Sequence, residues 1–351
     1  MDGLNIINAI RNDIGGEYAS SVPVATESNL LEVGNAIVSY IPNANQFIGA
    51  LVNKIALTVV ESKLFNNKLS ILKSGALPLG DTVETLYTNP ANSKNFDGKD
   101  GNLFTISEPD VKVTYNTINR SDQYEVSINR VQLKRAFTKL EELNSFITKV
   151  INSLYVGANI DEFNLMKNCV GNSVKNGFMK TIESPIPVDK ETSTTFLKLL
   201  RGKSSSFEYP SSLYNSWEDK KPEGATVKPC ITWVEKQDQI IILRDDIKNS
   251  IDIDLLAHMF NIEKGDIGGI ITVDNFGEDS NVMGVVMDKA WWKVFDAENI
   301  LTDFFNAKNH IWNYYLTIMQ VIGMSLTANA IAIVEPTTIV EQVEQVEQGE
   351  I

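Results

Sequence analysis

The sequence predicts an α+β protein organised around one long helix. Three observations carry that reading. A helical apolar stripe runs from Thr138 to about Val170, strand-like runs flank a turn-rich span before it, and helices alternate with short β-branched runs after it.

The long helix opens on Thr138 with Glu141 three residues on, a capping box that satisfies free backbone donors at a helix start. Leu140, Leu143, Ile147, Val150, Ile151 and Leu154 then recur at helical spacing along one face. Past Gly157, Ile160, Phe163, Met166 and Val170 form a second stripe on roughly the opposite side. A continuous element would be about 45 Å long at 1.5 Å per residue. Gly157 disfavours a helix interior by about 1 kcal/mol, so a bend or break there is the competing reading.

Before the helix, residues 1–61 read as an arm of short amphipathic helices. Leu4, Ile7, Ile10 and Ile14 share one face, and Leu30, Val33, Ile37 and Tyr40 share another. Pro42 is expected to end the second helix, and Gln46 to about Val60 to form a third. Gly15-Gly16 and the Ser20–Pro23 region separate the pieces, which are expected to drape over other layers rather than pack together.

Residues 62–129 change character. Pro78, Gly80, Asn89, Pro90, Gly98 and Gly101 punctuate the backbone. Thr82–Thr88 lies on one side, and Val111, Val113, Tyr115, Tyr124, Val126 and Ile128 on the other, as strand-like runs. The simplest geometry is a long two-stranded excursion with a polar tip. Such a hairpin is not stable alone in water and calls for a neighbouring chain.

After the helix, Thr194–Lys203 reads as helical. Ile231–Val234 and Ile240–Leu243 read as a strand pair across a polar turn, Ile253–Phe260 as a short helix, and Ile270–Val273 and Val282–Val286 as further strands. Trp312–Val334 carries no charged residue and is long enough to span a bilayer. Scattered Asn313, Thr317, Gln320 and Ser325, without a flanking basic cluster, make it core instead. A helix around Tyr315, Met319 and Ile322 followed by a buried strand at Ala328–Val334 is expected. The tail, Glu335–Ile351, has five glutamates and no basic residue, with Val-Glu-Gln repeated three times from Val340 to Gln348.

At 351 residues the chain can hold two or three subdomains, and 43% hydrophobic with 22% charged residues is a globular composition. With 31 basic against 45 acidic residues, net −14, the surface is not built to grip nucleic acid. The same charge suits a wall that lies near DNA without adhering. Cys169 and Cys230 make no disulfide framework and read as buried free thiols in a reducing compartment. Met1–Arg11 lacks the pattern of a secretory signal.

Catalytic constellations are nearly absent. His258 and His310 each sit on a segment that reads as core or interface, outside any metal-ligand pair. Gly265, Gly268 and Gly269 do not open a helix after a strand. Asp97, Lys99, Asp100 and Asn102 lack calcium-loop spacing and read as a solvated loop tip. Asp245-Asp246 and Asp252 with Asp254 read as solvated faces. No cofactor or metal is expected.

Against this background the chain resembles the major capsid proteins of tailed phages, with the Hong Kong 97-type fold, and those of small short-tailed phages in particular. The residues carrying the likeness are Leu133–Phe137 leading into Leu140-Glu141-Glu142, Phe196–Arg201 before Tyr209-Pro210-Ser211 and Tyr214-Asn215, Leu256-Ala257 with Phe260-Asn261, Asp274-Asn275-Phe276, and Asn329-Ala330-Ile331-Ala332-Ile333. They span roughly residues 45–335.

The resemblance implies an N-terminal arm (1–61), an E-loop (62–129), a P domain with the spine helix (130–189), an A domain (190–290), a P-domain return (291–335) and the acidic tail (336–351). It implies a non-enzymatic shell subunit forming hexamers and pentamers of an icosahedral head around double-stranded DNA, with no sequence-specific binding and no membrane. Scaffolding and portal proteins are the implied partners, and the virion, assembled in the host bacterial cytoplasm, is the implied location. Asp97, Lys99 and Asp100 at the E-loop tip are the candidate subunit contacts. The rival readings are an encapsulin-like nanocompartment, a hydrolase using His258 with Asp252 or Asp254, and a monomeric binding module.

Overall fold

In a computed structural model, the described residues are 3–58, 65–77, 82–93, 106–137, 146, 152–220, 227–251 and 270–336. The chain divides into two compact units. The first comprises Met1–Val83, Tyr115–Met166 and Lys293–Gly323; the second Glu84–Thr114, Lys167–Trp292 and Met324–Ile351.

The first unit combines a helical arm with a four-stranded sheet. Its helices are α1 (Gly3–Ile14), α2 (Gly16–Ser21), α3 (Leu30–Val38), α4 (Ile41–Thr58) and α5 (Arg130–Ala136). The sheet has the order β1 (Gly75–Ala76), β9 (Trp292–Asn306), β10 (Ile311–Met324), β4 (Arg120–Asn129). β10 and β4 run antiparallel in unbroken register from Ile311↔Asn129 to Gln320↔Arg120.

The arm is not draped. Ile7, Ile10, Val33, Ile37, Phe47 and Ile48 share one core with Leu133, Phe137 and Trp312, because each amphipathic face finds its apolar partner on the next helix. Trp312 Nε1 donates to Asn45, tying α4 to β10. Gly34 lets α3 approach Phe137 so closely that a Cβ there would lie 2.3 Å from the Phe137 Cβ. Pro42 starts α4 rather than ending α3. Proline suits a first turn, where its missing N–H has no partner to lose. Helix α3 stops at Val38, and Tyr40 is exposed.

Of the expected long helix, Thr138–Glu141 and the first stripe up to Ile151 lie outside the described residues, apart from Phe146. A π-helical turn, Asn152–Val156, precedes α6 (Gly157–Lys175), so the winding changes just before Gly157. Leu154, Met166 and Val170 are fully buried, whereas Ile160 is exposed.

A buried polar centre joins five segments of this unit. Glu162 accepts from Asn67 (2.8 Å), Lys73 (2.9 Å) and Gln320 (2.6 Å). Lys73 also pairs with Asp296 (2.8 Å), to which Gln320 donates at 2.5 Å. Arg120, itself buried, donates to Gln320 (2.6 Å), Asp122 (2.7 Å) and Tyr124 (2.9 Å). Burial by itself would raise the Glu162 pKa. The Gln320 hydrogen bond and the Lys73 charge outweigh it and hold the carboxyl below its usual range.

The second unit is built on a five-stranded sheet of order β5 (Lys180–Glu183), β11 (Ala330–Val334), β8 (Val282–Asp288), β6 (Gln239–Arg244), β7 (Ile270–Val273). β8 is antiparallel to both β11 and β6, while β5 and β7 join at the edges in parallel. Fully buried on both sides, β6, β8 and β11 carry continuous apolar runs rather than alternation. Helix α7 (Lys190–Ser206) starts on an Asp189–Thr192 capping box and packs Phe196, Leu197 and Leu200 against that sheet. Gln239, fully buried, clips the α7 end to β6 through Ser204 and Val234. Helix α8 (Asp245–Ser250) begins with Asp245-Asp246, where acidic groups favour a helix N-terminus.

Three expectations need correction. Ile311–Met324 is a strand, not a helix: Trp312, Tyr314 and Leu316 are buried with period two, and pairing with β4 outweighs the weak helical spacing. Ile231–Val234 makes a single bridge, Ser211↔Thr232, instead of a strand pair with β6, whose edges belong to β7 and β8. Residues 111–129 are not one return strand. β3 (Val111–Thr117) pairs with β2 (Thr82–Thr88), and β4 turns away into the other sheet.

Two predictions follow from packing and charge. Helix α6 lies so close to the loop after β7 that a Cβ on Gly171 would sit 1.9 Å from the Phe276 carbonyl oxygen, beside the Lys167–Asp274 ion pair at 2.7 Å. Gly171→Ala should destabilise the chain by about 1–3 kcal/mol through overpacking, read as a lower thermal midpoint; an unchanged midpoint would refute the close approach. Glu162→Gln should destabilise by about 1–3 kcal/mol at neutral pH, since a charged hydrogen-bond partner is lost. A lowered folded-state pKa gives stability that is present above the unfolded value and lost as pH falls through the folded one. The wild type should therefore lose this increment in acid, and the variant should show a flatter acid limb in the same melting series.

Candidate functional site

The described residues contain no cluster of His, Cys, Asp or Glu able to hold a metal ion, and no helix among them is long and apolar enough to cross a membrane. The residues singled out for chemistry are not brought together. His310 is exposed, in the turn between β9 and β10, with a positive φ of 52°. That excludes the core half of its reading as core or interface. His258, Asp252, Asp254, Gly265, Gly268 and Gly269 lie outside the described residues, as do the tip residues Asp97, Lys99, Asp100 and Asn102.

Both cysteines are free. Burial pushes each thiol up to about 11, which suppresses the nucleophilic thiolate. Cys230 is fully buried but lies in extended loop rather than a strand, where its carbonyl accepts from Asn215 at 2.8 Å.

What the structure does present is surface suited to association. In the β2–β3 hairpin, exposure alternates, so the two strands have an inner and an outer face. The inner face is fastened within the second unit. Tyr87 OH donates to the Ile231 carbonyl (2.5 Å), Asn89 Nδ2 to the Pro229 carbonyl (2.6 Å), and the Ile231 N–H to Asn89 Oδ1 (3.0 Å). Lys112 is buried, pairs with Asp110 at 2.9 Å and lies over the Trp217 ring at 5.7 Å. Hydrogen bonds from Lys112 and Asn89 hold the Asp110 carboxyl below its usual range. The outer face leaves Leu86 63%, Tyr115 66% and Val111 43% exposed.

This modifies the expectation that only a neighbour supports the hairpin. The loop-side end of its strands rests on its own chain, through polar contacts that periodicity could not announce. The outward aliphatic and aromatic positions were visible in the alternation of β2 and β3.

A second apolar surface lies in the second unit. Ser211 and Thr232 exchange backbone hydrogen bonds at 3.0 and 3.1 Å, joining segments that expose Tyr209, Leu213 and Trp233. Aromatic residues left in water beside a rigid bridge are typical of interface cores. In the sequence, Tyr209-Pro210-Ser211 stands out only as part of the family likeness. The signal available was an aromatic and a leucine in a segment too short and polar to form its own core.

Comparison with known proteins gives these surfaces a context. The family model described as Phi29-like phage major capsid protein matches residues 7–334. The major capsid protein of Bacillus phage PZA is 31% identical over 340 residues, covering 95% of this chain and 73% of that protein. The major capsid protein of Streptococcus phage Cp-1 is 26% identical over 349 residues, covering 94% of this chain and 93% of that one. The capsid structure of Staphylococcus phage Andhra superposes with a TM-score of 0.65 at 13% identity, over 78% of this chain and 86% of that one. The nanocompartment and hydrolase readings find no support in these relatives. The chain thus belongs to the Phi29-like phage major capsid proteins, as a structural, non-enzymatic subunit of a tailed-phage virion shell that is built from many copies with the Hong Kong 97-type fold.

Proposed function

We propose that copies of this chain associate as hexamers and pentamers into an icosahedral head enclosing double-stranded DNA, in the cytoplasm of a host bacterium and with scaffolding and portal proteins as partners. The observation that carries this reading is the two-faced β2–β3 hairpin: the loop-side end of its strands is fastened to its own chain, and its outer face holds large apolar side chains in water.

Residues 62–129 act as the E-loop, with the hairpin lying over a sister copy and the tip residues Asp97, Lys99 and Asp100 making contact there. Residues 1–61 serve as the arm, 130–189 and 291–335 as the P domain, and 190–290 as the A domain, where Tyr209, Leu213 and Trp233 meet their counterparts at a ring centre. Individually modest contacts become collectively strong when the shell closes, because each further contact is effectively intramolecular. The net charge of −14 keeps packaged DNA from adhering to the wall, and the acidic tail adds to that charge.

Assembly should depend on the hairpin more than folding does. Tyr115→Asp combined with Leu86→Asp should leave the circular dichroism spectrum and thermal midpoint near those of the wild type. Closed particles in negative-stain microscopy, with candidate scaffolding protein present, should fall at least about tenfold, the loss of roughly 1.4 kcal/mol per contact repeated over many contacts. Wild-type particle yield from that variant would remove the hairpin from the mechanism.

A further inference from the structure

The first unit carries a cleft for which shell formation, as described above, has no use. It measures about 390 Å³ and lies among the end of α3, the helix α5 and the turn between β9 and β10. Val38 and Val131 supply apolar surface, and Val131 is 59% exposed. Arg130, Lys134 and His310 stand on its rim, with neutral Asn35 beside them and no acidic side chain in the lining. Arg130 and Lys134 are one helical turn apart on α5 and so face the same way.

The walls are held in place. Asn129 caps α5 in a reciprocal box with Gln132. The Arg130 N–H donates to the His310 carbonyl at 3.3 Å, and its guanidinium to the Val38 carbonyl at 3.0 Å. In a chain of net charge −14, an acid-free cleft that sets cations beside exposed valine calls for an acidic, partly apolar occupant.

The same chain contains such a segment. From Val340 to Gln348 valine, glutamate and glutamine recur with a period of three. In an extended left-handed chain of three residues per turn, rising about 3.1 Å per residue, valines fall along one edge and glutamates along another. Successive members of an edge are then roughly 9 Å apart. Residues 337–351 lie outside the described residues, and their sequence is what speaks for the match.

We propose that this cleft takes the C-terminal Val-Glu-Gln segment of a second copy of the chain, a valine against Val38 and Val131 and a glutamate toward Arg130 and Lys134. This rests on the reading that copies meet side by side in a shell, where a tail entering a neighbour gains from high effective concentration. Nucleic acid fits less well, because a phosphate track calls for many cations rather than two or three beside an apolar floor.

Full-length chains carrying Asn35→Cys, which leaves both cations in place, mixed and assembled with chains carrying Val343→Cys, test the contact under mild oxidation. A disulfide-linked dimer should form at several times the level given by Val343→Cys with Val188→Cys, an exposed position in the other unit. Replacing Glu341, Glu344 and Glu347 by Gln, or raising salt to about 1 M, should cut the dimer roughly three- to fivefold. Should the cysteine at 35 perturb α3, Ser39→Cys serves as the second cleft position. Control-level dimer from both positions, while particles still form in the microscope, would overturn the proposal and leave the shell reading intact. A chain bearing both cysteines that closes only within itself would overturn the second-copy assignment. Retention of labelled duplex DNA that Lys134→Glu abolishes, without any cross-link, would overturn it in favour of nucleic acid. Absence of particles from the wild type would strike the shell reading itself.

Discussion

The first unit depends on one buried ion cluster. Glu162 is only 7% exposed, yet it is charged and receives three side-chain donors from two separate segments. A charge in that setting is tolerable only when every partner is in place, so the cluster admits one mutual arrangement of α6, β9, β10 and the segment leading to β1. Arg120 extends the same constraint to β4 through Gln320. Apolar packing supplies the gross stability of the unit, and the cluster decides which register that packing adopts.

The second unit reaches definition differently. Its central strands are apolar on both faces, and specificity comes from close backbone approach at Gly171 and from buried amides such as Gln239. Its outer positions behave otherwise. Tyr209, Leu213, Trp233 and the outer hairpin face keep apolar area in water, which a solitary globular protein would bury. A subunit that is well determined inside and unfinished outside is what a shell requires, and in the function proposed above sister copies supply the missing burial.

Elements that obey a strong local rule were legible in the residues. Helix α7 was legible as the run Thr194–Lys203, although its start at the Asp189 cap was not, and β8 and β11 were legible as short β-branched runs. β10 was misread because Tyr315, Met319 and Ile322 satisfy a helical period by accident, while the decisive alternation of Trp312, Tyr314 and Leu316 competes with it in the same residues. Pro42 was misread because proline ends one helix and begins another with equal ease. The anchoring of the hairpin escaped notice because Asn89 and Tyr87 bond to residues some 140 positions away in sequence.

By itself the sequence determined the class of the protein, the apolar runs of the second sheet, the absence of recognisable catalytic motifs and a likeness to phage capsid subunits. Each of these follows from composition, local periodicity or ordered short phrases. Only the tertiary structure decided that the arm packs into a core, that β4 leaves the hairpin for β10, and that Glu162 gathers its partners. Those outcomes rest on pairing between distant residues, whose free energy no local pattern encodes.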